Sequence, residues 1–200
     1  MARLTAQEMD AVADQLELPV KGRFPITYAN HPLPGDPARK LGIQRVDGYP
    51  SPGFRTALSY GLAHESFETS NFPDRIELIQ GYRTDDWSFE RIQVFVADSV
   101  VTSNQLPKPG TVYQHAVAHA GLGAPASRMP HALVVYPYLW QRDFYKADVA
   151  DKRLWFLQLV PIHENELQFI TKNGFKVFEE LLDHFGMQFH DLNRTSYVDM

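Results

Sequence analysis

The chain contains no cysteine, which removes disulfides, thiolate metal sites and cysteine nucleophiles together. No stretch approaches the ~18 apolar residues of a membrane span, and Met1-Ala-Arg-Leu-Thr-Ala-Gln-Glu carries no apolar run of signal-peptide length. A cytoplasmic protein that does not engage a membrane is the resulting expectation. There is no run of lysine and arginine, and 19 basic residues face 24 acidic ones for a net charge of −5. A general nucleic-acid binder must neutralise phosphates, so that class is disfavoured. Internal repeats and low-complexity tracts are lacking too.

Aromatic residues, in contrast, are plentiful: 13 Phe, 9 Tyr and 3 Trp in 200 residues. That is more than a minimal core requires, so part of the set is expected at a surface that binds something. A hydrophobic fraction of 44% and a charged fraction of 22% are those of a globular domain. A chain of this length buries roughly 70% of the surface its unfolded state exposes, without help from a metal or a disulfide.

The amino terminus reads as a helix start. Thr5 and Glu8 have capping-box spacing, Leu4 and Met9 stand at the staple positions, and Met9, Val12, Ala13 and Leu16 form an apolar stripe that Pro19 ends. Five prolines between Pro19 and Lys40 forbid a long helix and disfavour a central strand. Residues 1–40 therefore read as a helix and proline-rich extension, either wrapping the domain or acting as a linker, ahead of a compact unit over 41–200.

Within that unit, Phe54 to Tyr60 and Arg75 to Tyr82 read as paired antiparallel strands around the turn Asn71-Phe72-Pro73-Asp74. Trp87 to Thr102 has helical period, with Asp86 as cap, and the prolines at 107 and 109 follow it. Strands are expected at Thr111 to His115, Ala132 to Tyr138 and Leu154 to Ile162. The last is apolar at nearly every position, as a strand covered on both faces should be, with Pro161 ending its pairing. Helices over Glu164 to Lys172 and Phe175 to Phe185 complete the chain, with Gly186 as the final cap. This order gives an α+β fold, a mixed and largely antiparallel sheet with flanking helices.

Chemical motifs are sparse. His115 and His119 are four apart, but a strand at this place would separate them by ~13 Å, and no third metal ligand is evident. His163-Glu164-Asn165-Glu166 reads as the acidic first turn of a helix. Ser59-Tyr60-Gly61 resembles half of a nucleophile elbow, yet position 57 is alanine and no helix follows. Gly121-Leu-Gly-Ala-Pro lacks the lysine and the context of a phosphate loop, and Asn193-Arg-Thr195 is a chance glycosylation match. No nucleophile, base and anion hole converge, so neither cofactor nor metal is expected and binding is favoured over catalysis. Short strands leave a sheet edge to which a partner segment can add.

Three blocks in order resemble the suppressor of fused family. Gly53-Phe-Arg-Thr-Ala-Leu-Ser-Tyr-Gly-Leu62 with Arg75-Ile-Glu-Leu-Ile79 is similar to its opening block. Leu154-Trp-Phe-Leu-Gln-Leu-Val-Pro-Ile162 with Glu166 and Asn173-Gly174 is similar to a later one, and Phe175 to Phe185 to the helix after it. The resemblance covers roughly residues 40–198 and implies a non-enzymatic binding domain. Animal members hold transcription factors of the Gli type through a peptide inserted as a strand, and bacterial members are proposed to be immunity proteins against a toxin encoded beside them. An aspartate that contributes to peptide binding in animal members has no counterpart here, where the chain reads Lys108-Pro109-Gly110-Thr111. Strand addition at Thr111 to His115 depends instead on backbone groups, with Tyr113 and His115 as partner contacts, while Trp155, Phe156 and Phe178 fill the core.

The resemblance thus implies a protein or peptide partner, a toxin foremost, and an acidic chain suits a basic toxin. A regulatory module acting on a host protein and a hydrolase with an unrecognised site are the alternatives. Oligomeric state is not set by the sequence.

Overall fold

Thr5 caps the first helix as its spacing to Glu8 predicts. In the computed structural model, which describes residues 3–65, 67, 74–83, 88–123, 127–140, 144–185 and 190–200, the Glu8 N–H donates to Thr5 Oγ1 at 3.3 Å and the Thr5 N–H donates to the Glu8 carboxylate at 2.7 Å. The helix, α1, spans Ala6–Glu17 and buries Val12 and Leu16. Asn71-Phe72-Pro73 of the expected turn, Asp85, Asp86 and Trp87 before the long helix, Ala124-Pro125 and the Gly186 cap lie outside the described residues.

The proline-rich stretch contains a strand, β1 (Ile26–Pro32), paired antiparallel with β2 (Lys40–Asp47), which sequence reasoning also missed. β3 (Phe54–Tyr60) and β4 (Asp74–Arg83) pair antiparallel as expected, from Phe54 with Arg83 to Leu58 with Ile79. Next come α2 (Ser88–Ser103), β5 (Val112–Tyr113), α3 (Ala116–His119), β6 (His131–Val135), β7 (Lys146–Val149), β8 (Lys152–Ile162), α4 (Glu164–Asn173) and α5 (Phe175–Phe185). The strands form one sheet in the order β1-β2-β3-β4-β8-β6-β5, with β7 on β8. Its pairs are antiparallel except β4 with β8, which run parallel from Asp74 with Arg153 to Ile79 with Gln158. The α+β class and the mixed, largely antiparallel sheet are as the sequence predicts.

Both faces of the sheet are covered. Phe89, Ile92, Val96 and Val100 of α2 pack on Ile43, Ile76, Leu78, Leu157 and Leu159. On the opposite face α1 packs Val12 and Leu16 against Val46, Leu58, Ile79 and Phe156, and α5 packs Phe178 and Leu182 against Leu133, Val160 and Ile162. Alternate residues of β8 thus face different layers, which is why the strand is apolar throughout. Pro161 does not end its pairing, since Ala132 pairs with Pro161 and His131 with Ile162. Beyond Gln158 the strand has left β4, so the missing N–H costs no ladder bond.

The carboxy-terminal segment is fixed by a buried ion pair. Arg194 forks onto Glu166 at 2.6 and 2.8 Å, and its Nη2 also donates to the Pro161 carbonyl at 2.9 Å. Glu166 further accepts the N–H groups of His163 and Tyr197, each at 2.8 Å, which makes it the first-turn residue of α4 that the sequence predicts. Both side chains are essentially inaccessible, at 1% and 0% exposure, so removing one strands the other's charge in the interior. Arg194→Met is expected to cost about 3–5 kcal/mol in urea denaturation. The pair Glu166→Leu with Arg194→Met is expected to cost less than the two single losses added together.

Candidate functional site

β5 stands at one end of the sheet, paired on one side with β6 through Val112 with Leu133 and Tyr113 with Ala132. It is shorter than the strand expected over Thr111 to His115. His115 has left-handed backbone (φ 58°) and starts α3, its N–H donates to His131 Nδ1 at 3.0 Å, and Pro130 O takes the N–H of Val117 at 3.0 Å. These bonds turn the chain away from the sheet. Val134 N–H donates to Thr111 O at 2.8 Å, which sets the alternation so that within β5 only Val112 turns its N–H and C=O outward.

The helical turn also corrects the histidine geometry. The rings of His115 and His119 are 6.5 Å apart, not the strand spacing, and His115 lies 5.0 Å from the His131 ring. His131 is buried with Nδ1 occupied as an acceptor, so its Nε2–H is the donor to Glu164 at 2.8 Å. That bond and one from Gln168 hold the Glu164 carboxyl below its usual range. Among the described residues no group of three His, Asp or Glu side chains is placed to hold a metal.

Tyr113 is half-buried against the α2 layer, and burial pushes its phenol pKa up. It lines a groove of about 480 Å³ with Ser99, Ser103, Leu106, Lys108 and Thr111. On the other side of Leu106-Pro107-Lys108 lies a slot of about 170 Å³ walled by Ile76, Tyr136, Trp155 and Leu157. Trp155 is therefore not fully in the core, unlike Phe156 and Phe178. Its ring is 5.7 Å from Tyr145 and 6.3 Å from Tyr136, a half-buried aromatic cluster that sequence reasoning missed. The available signal was Tyr136, Tyr138 and Tyr145 crowding beside the strand. Gly110, next to the groove residue Thr111, has φ +91° and would place a Cβ 2.9 Å from Phe175, so glycine is required at this turn.

Ser59 is not positioned as a nucleophile. It is fully buried, its hydroxyl donates to Glu77, and its Oγ accepts the Leu78 N–H at 2.7 Å. Glu77 takes the N–H groups of Gly61 at 2.8 Å and Ala63 at 3.0 Å, closing the 3-10 turn Leu62–His64 onto β4. Burial pushes its pKa up to about 7, against the opposing hydrogen bonds from Ser59 and the backbone. The serine and glutamate of the opening block thus form a structural bolt.

What the fold and this margin define is a sheet protein with a grooved, aromatic-lined edge. Residues 37–195 match the Suppressor of fused protein (SUFU) family, and the chain belongs to that family. It is similar to Immunity protein YqcF of Bacillus subtilis (strain 168), with 25% identity over 160 residues, 79% of this chain and 82% of that protein. Among solved structures it is similar to a suppressor of fused homologue from Neisseria gonorrhoeae, with TM-score 0.68, 16% identity, and coverage of 96% and 98% of the two chains. It is also similar to a chain of the Sufu-Fu complex, with TM-score 0.64, 12% identity, and coverage of 96% and 93%. Drosophila Suppressor of Fused matches with TM-score 0.55 and 13% identity over 96% of this chain and 50% of that one. These structural likenesses define the fold.

Because the Glu77 pKa lies above the ordinary carboxyl value of 4.5, at about 7, the folded state binds its proton more tightly than the unfolded state. The stability this gives is fully present below pH 4.5 and is lost as pH rises through 7. Glu77→Gln keeps the Oε1 acceptor and presents an amide donor to Ser59, so it mimics the protonated form. Between pH 5 and pH 8 the wild type is expected to lose about 2–3 kcal/mol relative to the variant in urea denaturation. A difference that does not change with pH contradicts the assignment.

Proposed function

We propose that this chain is a non-enzymatic protein-binding domain that neutralises a toxin encoded beside it, with the β5 margin as the contact surface. The observation that carries the binding reading is the pair of cavities that share Leu106-Pro107-Lys108 as a wall, one lined by Tyr113 at the sheet edge and the other by the half-buried rings of Tyr136 and Trp155. Rings held by packing lose little freedom on binding and supply large apolar area. Kinship with a protein named as an immunity protein supports the toxin as partner.

In this reading Tyr113 forms the groove wall and the exposed His115 its rim. The outward backbone groups of Val112 accept an incoming segment, and no acid at 108–111 is needed. The buried, hydrogen-bonded state of Ser59 supports a non-catalytic role, as does placement of the chain in a family typified by binding.

Expression of the neighbouring reading frame is expected to arrest growth, and co-expression of this chain to restore it. A harmless neighbour, or arrest that persists despite folded protein, contradicts the immunity role. His115→Ala and Lys108→Ala, which remove a rim ring and a groove-lining side chain, are expected to weaken the isolated complex by at least about tenfold in calorimetry with little change in melting temperature. Unchanged affinity in both variants removes the β5 margin from the interface.

A further inference from the structure

The sheet has a second edge, opposite β5, and it is the more open of the two. β1 ends the order at that side, and its register with β2 fixes which backbone groups are free. Asp47 N–H donates to Pro25 O at 3.1 Å and Leu33 N–H to Arg39 O at 3.0 Å, and both couples continue the register of Ile26 with Val46 through Pro32 with Lys40. In an antiparallel ladder bonded residues alternate, so Thr27, Ala29 and His31 face β2 while Ile26, Tyr28 and Asn30 turn complete N–H and C=O pairs outward. Pro32 is the next outward position and has no N–H, which ends the usable edge. Three outward pairs are available on β1 against one on β5.

The side chains beside this edge are held ready. Tyr28 is 62% exposed, and Leu18 at the end of α1 is 65% exposed. The Tyr28 hydroxyl donates to Glu17 at 2.6 Å, which fixes the ring over the helix end. Beyond Asn30 a cavity of about 510 Å³ contains Arg3, Arg39, Lys40 and His64 against one carboxylate, Glu65. Both arginines share that carboxylate, at 3.8 and 3.6 Å, Arg39 also reaches Asp36 at 3.8 Å outside the cavity lining, and Lys40 makes no ion pair among the described residues. Gly42 floors the cavity, where a Cβ would sit 3.1 Å from Tyr60 O.

We infer that the outer edge of β1 receives an extended, acidic segment of a protein partner as an added strand, with a carboxylate of that segment entering the cavity of Arg3, Arg39 and Lys40. The inference rests on the protein-binding reading and adds a second surface to it. Charge selects the occupant. The cavity is lined mainly by basic groups although the chain carries −5, and at the other end Arg23 precedes the strand, with Lys21 paired to Glu17 at 3.1 Å. A second copy paired antiparallel would set the Arg39 and Lys40 end of one chain against the Lys21 and Arg23 end of the other. Like charges at both ends disfavour that dimer.

The test is an amide NMR titration of the full chain with a seven-residue Val/Thr peptide carrying Asp at both ends, alongside the same peptide with Lys at both ends. The amides of Ile26, Tyr28 and Asn30 are expected to exchange fast in the free protein and to shift and gain protection with the Asp peptide, which binds at least tenfold tighter than its Lys counterpart. Asn30→Pro removes one outward N–H without removing a β2 bond and is expected to abolish that protection. Lys40→Glu is expected to erase the preference for Asp and stands in should the proline variant fold poorly. Equal binding of both peptides, no shift at these amides, or their protection in a dimer of the free protein overturns the inference. If the native partner's affinity falls on His115→Ala but not on Lys40→Glu, this edge is excluded while the protein-binding reading stands; if the amides respond to the peptide and no protein partner is captured, the binding reading fails instead.

Discussion

The parallel pairing of β4 with β8 is the joint on which the other elements depend. On one side of it lies the antiparallel series β1 to β4, on the other β8, β6 and β5. Residues from Asp74 with Arg153 to Ile79 with Gln158 make the join, and its central residues are covered on both faces. Leu78 and Leu157 lie under α2, while Ile79 and Phe156 lie under the α1 layer. A parallel pair needs a long crossover, and α2 supplies the part that packs. Gln93 of that helix reaches down to the Leu78 carbonyl at 2.7 Å, so the crossover is tied by a hydrogen bond to the strand it covers. The two sheet ends follow as a consequence: once β4 and β8 occupy the centre, β1 and β5 are left as margins.

Acidic side chains, which are normally exposed, carry much of the interior's specificity. Glu77 bolts the turn after β3 to β4. Glu90, in the first turn of α2, receives Arg45 of β2 at 2.7 and 2.5 Å and the hydroxyl of Tyr82. Burial pushes the Glu90 carboxyl up, and these hydrogen bonds outweigh it and hold the pKa below the usual range. Glu166 anchors the carboxy-terminal segment through Arg194. Each joins segments distant in sequence, and each would be costly to bury unpaired. A side chain in such a network is committed to architecture, which is why Ser59, beside Glu77, is no candidate for chemistry.

Elements with a strong local signature were legible in the amino-acid sequence. The Thr5–Glu8 box, the helical stripe of α2, the apolar run of β8 and the span of α5 lie where patterning puts them. β1 was not legible because the prolines in and around it argue against a strand, and that argument applies to central strands; Pro32 sits where an edge needs no donor. β2 hides because burial of Ile43, Gln44 and then Val46 breaks its alternation. β5 was overextended because the His115 N–H bond to the His131 ring, which ends it, joins residues 16 apart. At the margin, Tyr113 and His115 could be singled out, whereas the Tyr136, Tyr145 and Trp155 cluster is made by β6, β7 and β8 meeting. The buried carboxylates were hidden for a related reason, although Glu77 amid Ile76, Leu78 and Ile79 was a visible anomaly.

With the interior engaged in holding the sheet together, recognition falls to its margins. β5 offers a groove, rings and one outward backbone pair, and β1 offers three such pairs and a basic cavity. The helical face of α4 and α5 bears the exposed Lys172 and Lys176 and belongs to neither. Lysine cross-linking and mass spectrometry on the complex of the full chain with its native protein partner separates these surfaces directly. Cross-links from Lys21 and Lys40 beside β1 and from Lys108 beside β5 are predicted to outnumber those from Lys172 and Lys176. Cross-links confined to Lys172 and Lys176 would contradict a marginal binding surface.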